Sequence, residues 1–198
     1  MTRSTQIAAI PLLALLVPFL ASLQGCTYGG STRLVSLDQS GKLEPHLPTL
    51  VYTPSGDTGA DVYLTNLPRD ALARGADLTG VSGHLIHVNM FLTPRPGRTP
   101  IDAAASNASI RWIVIADGEV GIYTGGGFVL PSAPPGNSSF GATVKRASLE
   151  IGIHTARFVD PLGPSRMQAS FRAPRDESLA RHLAARFDEI NALIDAPR

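Results

Sequence analysis

In two segments, Ser82–Thr93 and Ser109–Ala116, the chain alternates large apolar residues with others at a period of two, and that rhythm suits half-buried β-strands. In Ser82–Thr93 the even positions Ile86, Val88, Met90 and Leu92 make one apolar face, while Leu85, His87, Asn89 and Phe91 make the other face mixed. Ser109–Ala116 sets Ile110, Trp112 and Val114 against Arg111, Ile113 and Ile115. It is apolar on nearly both sides, which predicts a central strand. Asp117-Gly118 then supplies the residue pair of a tight hairpin turn into Glu119–Tyr123.

The same pattern recurs along the chain. Thr49–Thr53 is stopped by Pro54, and Ala60–Thr65 alternates. Phe128–Leu130 follows Gly125-Gly126-Gly127, glycines that mark a bulge or tight corner, and Ala142–Ile153, Thr155–Val159 and Arg166–Arg172 come after it. At least seven short strands joined by Gly- and Pro-rich turns predict a mainly β fold, an antiparallel β-sandwich or a barrel-like sheet. The charged fraction, 17%, lies below the ~25% usual in soluble domains and suits such a body. Pro68 to Arg74 has proline where a helix can begin and Gly75 where it can stop, which predicts a short helix.

At the C-terminus the rhythm changes. Leu179, Leu183, Phe187, Ile190 and Ile194 recur at helical spacing with Ala180 and Ala184 beside them, and Arg181, His182 and Arg186 fall on the polar side. Asp176 and Glu177 suit the positive end of a helix dipole, and Pro197 lies beyond the stop. An amphipathic helix is expected over 176–194, packed on the sheet or, alternatively, docking a partner.

The N-terminus reads as an address. Arg3 precedes an apolar run, Ile7–Leu23, that Pro11 and Pro18 interrupt, and the chain's one cysteine follows at Leu23-Gln24-Gly25-Cys26. That layout is too short and too broken for a comfortable membrane span. Met1–Cys26 resembles the signal of a bacterial lipoprotein with its lipobox, although Gln24 stands where a small residue is usual. The resemblance implies cleavage between Gly25 and Cys26, acyl chains on Cys26, and residence outside the cytoplasm. Thr27, in place of the Asp that marks inner-membrane retention in many diderm bacteria, favours the outer membrane. Segments 1–25 as signal peptide, 26–48 as lipidated N-terminus and flexible tether, and 49–198 as a single domain are the expected organisation. Within the tether, Leu34–Leu37 reads equally as an edge strand.

Composition narrows the function classes. Once Arg3 leaves with the signal, acidic and basic residues balance, and no basic run offers the footprint that nucleic acid requires. With one cysteine, no internal disulfide can form. His84 and His87 are three apart, which in a strand sends them to opposite faces, and His46, His154 and His182 are isolated. Gly80-Val81-Ser82-Gly83 lacks the second glycine of a nucleophile elbow. Ser55–Asp61 holds two carboxylates without the ligand alternation of a calcium loop. Gly125–Gly127 is followed by neither a lysine nor a helix start, as phosphate loops need. Arg95 and Arg98, on a proline-stiffened loop, are the ligand candidates, for lipid headgroups or polysaccharide carboxylates.

No catalytic, cofactor or metal residue is assigned. The expected role is binding or scaffolding at the envelope. Its partners are the membrane through acylated Cys26 and an envelope protein or glycan. A carbohydrate- or lipid-binding module, marked by exposed Tyr63, Trp112 or Tyr123 on a concave face, and an extracytoplasmic hydrolase are the alternatives.

Overall fold

The computed structural model describes residues 29–94 and 106–195. Among them are strands β1 (Gly29–Ser36), β2 (Lys42–Leu43), β3 (Thr49–Ser55), β4 (Gly59–Thr65), β5 (Gly83–Met90), β6 (Ala108–Ala116), β7 (Glu119–Pro131), β8 (Ser139–His154) and β9 (Ser165–Pro174), then helix α1 (Glu177–Asp195). The strands form one antiparallel sheet in the order β2-β1-β9-β8-β7-β6-β5-β4-β3. Seven consecutive strands, β3 to β9, make a meander, and β1 joins its last member. The sheet curls as a half-barrel until its edge strand β3 touches the end of β9, where Tyr52 bridges Arg175 and the Asp176 amide donates to the Tyr52 carbonyl at 3.2 Å. Of the two expected arrangements, this is the barrel-like one.

Alternation decides what lies inside the curl. Leu34, Val62, Ile86, Trp112, Tyr123, Phe140 and Phe171 point inward and form the main core. The outer positions of β3 to β7, including Val51, Tyr63, Leu85, Ile113 and Ile122, are also apolar, and α1 covers them with Leu183, Phe187 and Ile190. Central β6 is therefore buried on both sides, as its sequence predicts. On β9, buried and exposed residues alternate one by one, and its outward side chains are Arg166, Gln168, Ser170 and Arg172. The outer face is thus divided between an apolar half under the helix and a polar half left open.

Asp176 caps α1, its Oδ1 accepting from the Leu179 amide at 2.9 Å. The Asp117-Gly118 turn forms with positive φ at both residues, 51° and 82°, as a two-residue primed turn demands. Gly125 and Gly127 sit inside β7 where Cβ atoms would fall 1.9 Å from the Ser148 carbonyl oxygen and 2.5 Å from Ala147 Cβ. A bulge follows, between Gly127 and Val129. Pro54 is accommodated within β3 because that strand is an edge.

Five expectations are corrected. Segment 26–48 is not simply a tether, because Gly29–Ser36 pairs along its whole length with β9 and Leu47 is buried in the core. Without β1, the ladder of β9 would lie open on one edge. Residues 68–74 form successive turns rather than a helix, and Arg186 ties this connection to α1: its Nε donates to the Ala71 carbonyl at 2.9 Å and its Nη2 to that of Ala76 at 2.7 Å. Arg186 is consequently buried, not on the polar side of α1. Thr155–Val159 is a loop, and β5 ends at Met90, leaving Phe91 and Leu92 exposed.

Candidate functional site

The open half of the outer face carries a groove of about 820 Å³ across β8, β9 and β1. Register alone assembles it. Ser31 pairs with Ser170 and Ser170 with Thr143, while Arg33 pairs with Gln168, so these outward side chains lie in neighbouring rows. Between Val144 and Ala147 the ladder of β8 slips by one residue, so that Lys145 and Arg146 together oppose Gln168, and the pair forms one wall. The opposite wall is Glu44, Pro45 and His46, where Glu44 pairs with Arg33 at 2.9 Å and Lys42 at 3.3 Å. Lys145, Arg146 and Arg166 have no ion-pair partner among the described residues.

A second polar group lies under the helix. His87 Nε2 meets Asp61 Oδ1 at 2.7 Å, Asn89 Nδ2 donates to the same oxygen at 2.8 Å, and Arg111 Nη2 lies 3.1 Å from His87 Nδ1. A guanidinium only donates, so Nδ1 accepts and the ring proton sits on Nε2. Tyr63 stacks on the imidazole at 4.5 Å, and the Arg111 guanidinium lies 4.5 Å above the Phe187 ring. Burial works against the Asp61 carboxylate, yet hydrogen bonds from His87 and Asn89 outweigh it and hold its pKa below the ordinary value. Burial pushes the Tyr63 hydroxyl up to about 12. Both imidazole nitrogens are engaged, so this Asp–His pair has none left to take a proton from a nucleophile.

The other titratable groups stay apart. His84 faces the concave side, where its Nδ1 accepts from Trp112 Nε1 at 3.2 Å and desolvation drives its pKa down to about 4. His154 bonds the Thr155 carbonyl through Nδ1 at 2.9 Å on the surface. Inside the curl the Tyr123 hydroxyl donates to Asp160, which also accepts from the Leu162 amide at 2.9 Å. Burial opposes the Asp160 charge, but these donors hold its pKa low; burial and Asp160 together push that of Tyr123 up.

His84 and His87 occupy opposite faces, as their odd spacing predicts, and neither meets His154. Asp61 belongs to β4 and is engaged with His87 and Asn89 rather than turned toward Asp57. Tyr63, Trp112 and Tyr123, whose exposure would mark a sugar-stacking face, are 5%, 0% and 0% exposed. Gly25, Cys26, Arg95 and Arg98 lie outside the described residues. The groove residues escape sequence reasoning because they come from three distant segments. One local signal exists: Lys145 and Arg146 are consecutive polar residues in a strand that otherwise alternates. No family model, curated protein or solved structure matches the chain.

Proposed function

We propose that the mature protein is a bacterial lipoprotein, acylated on Cys26 and held at the outer membrane, where its β-body binds or scaffolds rather than catalyses. The observation that carries this reading is the Leu23-Gln24-Gly25-Cys26 sequence at the end of a short apolar run. The position of β1 supports it, since Gly29 is already hydrogen-bonded into the sheet. Two residues, Thr27 and Tyr28, separate it from Cys26, and the three Cα–Cα steps between them reach at most about 10 Å, so an anchored body stands directly on the bilayer. Two or three acyl chains give durable attachment where one gives marginal binding.

Binding is favoured over catalysis by what the polar groups do. The Asp61–His87–Arg111 chain is closed on itself and roofed by Phe187, whereas the groove is open, polar and cationic. A hydrolase would need a free base beside a nucleophile. The test is the mass of the N-terminal peptide from protein purified from native membranes, together with fractionation of a Cys26→Ala variant. Acylated Cys26 and release of the variant from membranes are expected; an unmodified sulfur with unchanged partitioning refutes the anchor.

A further inference from the structure

The groove across β8, β9 and β1 has the chemistry of a ligand site. Among the described residues, six cations, Arg33, Lys42, Lys145, Arg146, Arg166 and Arg172, share this outer face with two carboxylates, Glu44 and Glu150. In a chain with a formal net charge of +1, that excess is a local concentration of positive charge. The Coulomb cost of gathering it is lowered when an anion lies among the cations. Glu44 engages Arg33 and Lys42, and Lys145, Arg146 and Arg166 remain for something outside the described residues.

The floor narrows the choice. Between the cations lie Ser31, Thr143, Ser170 and Gln168, which donate and accept neutral hydrogen bonds. Val144 and Ala169 turn their side chains into the core, so what the groove presents of them is backbone. Among the described residues no Phe, Tyr or Trp lines it, which argues against base stacking, and no large apolar side chain points into it, which argues against an acyl chain or a hydrophobic peptide. Alternate residues on β9 are about 6.6 Å apart, so charge and hydroxyl rows follow one another along the strand. A polymer carrying spaced anionic groups among many hydroxyls complements that arrangement.

We infer that this groove binds an acidic polysaccharide, a chain of sugars bearing carboxylate or phosphate groups. The inference deepens the binding role proposed above and rests on it for the compartment in which such a polymer is met. Acylated mature protein in phosphatidylcholine nanodiscs is presented to immobilised polygalacturonate, phosphomannan, neutral dextran and poly-L-glutamate. Binding to at least one of the two acidic glycans is expected, with none to dextran and at least about tenfold weaker binding to poly-L-glutamate, which has charge without hydroxyls.

The double variant Lys145→Glu with Arg146→Glu loses binding by about tenfold or more, and Gln168→Ala weakens it without changing charge. Arg69→Glu, half that charge change at an exposed position in the 66–82 connection, leaves it intact. Thermal melts confirm that each variant is folded. The inference is overturned if neither acidic glycan binds, if poly-L-glutamate binds as well, if Arg69→Glu has the same effect as the groove variants, or if the protein binds phosphatidylglycerol discs instead of glycans. Loss of the anchor shows separately, in the mass of the same preparation, and leaves groove binding unchanged.

Discussion

Replacing Arg186 with methionine tests the claim that α1 is locked onto the body by one buried guanidinium. Its side chain is 1% exposed and makes hydrogen bonds to the carbonyls of Ala71 and Ala76 and to Glu189. Hydrogen bonds to a charged group are each worth about 1.5–3 kcal/mol, and both carbonyls lose their donor in Arg186→Met. The 66–82 connection lies at the surface and can readmit some water, so the lower end applies: about 3 kcal/mol for the pair. That is a large part of the ~5–15 kcal/mol that holds a domain folded. Urea unfolding followed by the fluorescence of Trp112, the chain's one tryptophan, measures it if the slope against urea stays constant. Arg186→Lys keeps the charge, but a single ammonium cannot span both carbonyls with a guanidinium's geometry, so its loss is intermediate. A methionine variant within about 1 kcal/mol of the parent, or a lysine variant worse than methionine, refutes the reasoning.

Two further outcomes are expected. The folded-state pKa of His84, about 4, lies below its unfolded value near 6.5, so the unfolded chain takes up the proton first. The contribution from keeping His84 neutral is complete above pH ~6.5 and falls by about 3 kcal/mol as pH drops to ~4; urea titrations across that window are flatter in His84→Gln, and an unchanged slope contradicts the assignment. Gly125→Ala forces a methyl group against the Ser148 carbonyl and lowers stability by about 1–3 kcal/mol, whereas Gly29→Ala, with nothing within 4 Å, is neutral in the same thermal melts.

The parts of this fold that can be read from sequence are those whose partners matter least. Ile86, Val88, Ile110, Trp112 and Ile113 announce their strands because alternation is a local property, and Asp117-Gly118 announces its turn because few residue pairs accept positive φ twice. The α1 stripe is equally local. β1 is different: Gly29-Gly30-Ser31-Thr32 has little strand propensity, and its conformation is imposed by β9. Arg186 sits on the flank of a helical wheel, and only the 66–82 connection folding over it makes it an interior residue. The groove is the extreme case, since residues near 31, 144 and 169 meet only through register.

The union of the first strand with the last sets an order of events. Gly29–Ser36 finds its full-length partner at Ser165–Arg172, so a nascent chain carries most of this segment, apart from Leu34 and Val35 against β2, unmatched until nearly all the rest has emerged. Closing so long a loop is slow relative to forming neighbouring hairpins, and the meander from β3 onward can assemble first. A product cut short before Ser165 therefore lacks the template for its own beginning, and that incomplete end is what a quality-control protease would meet.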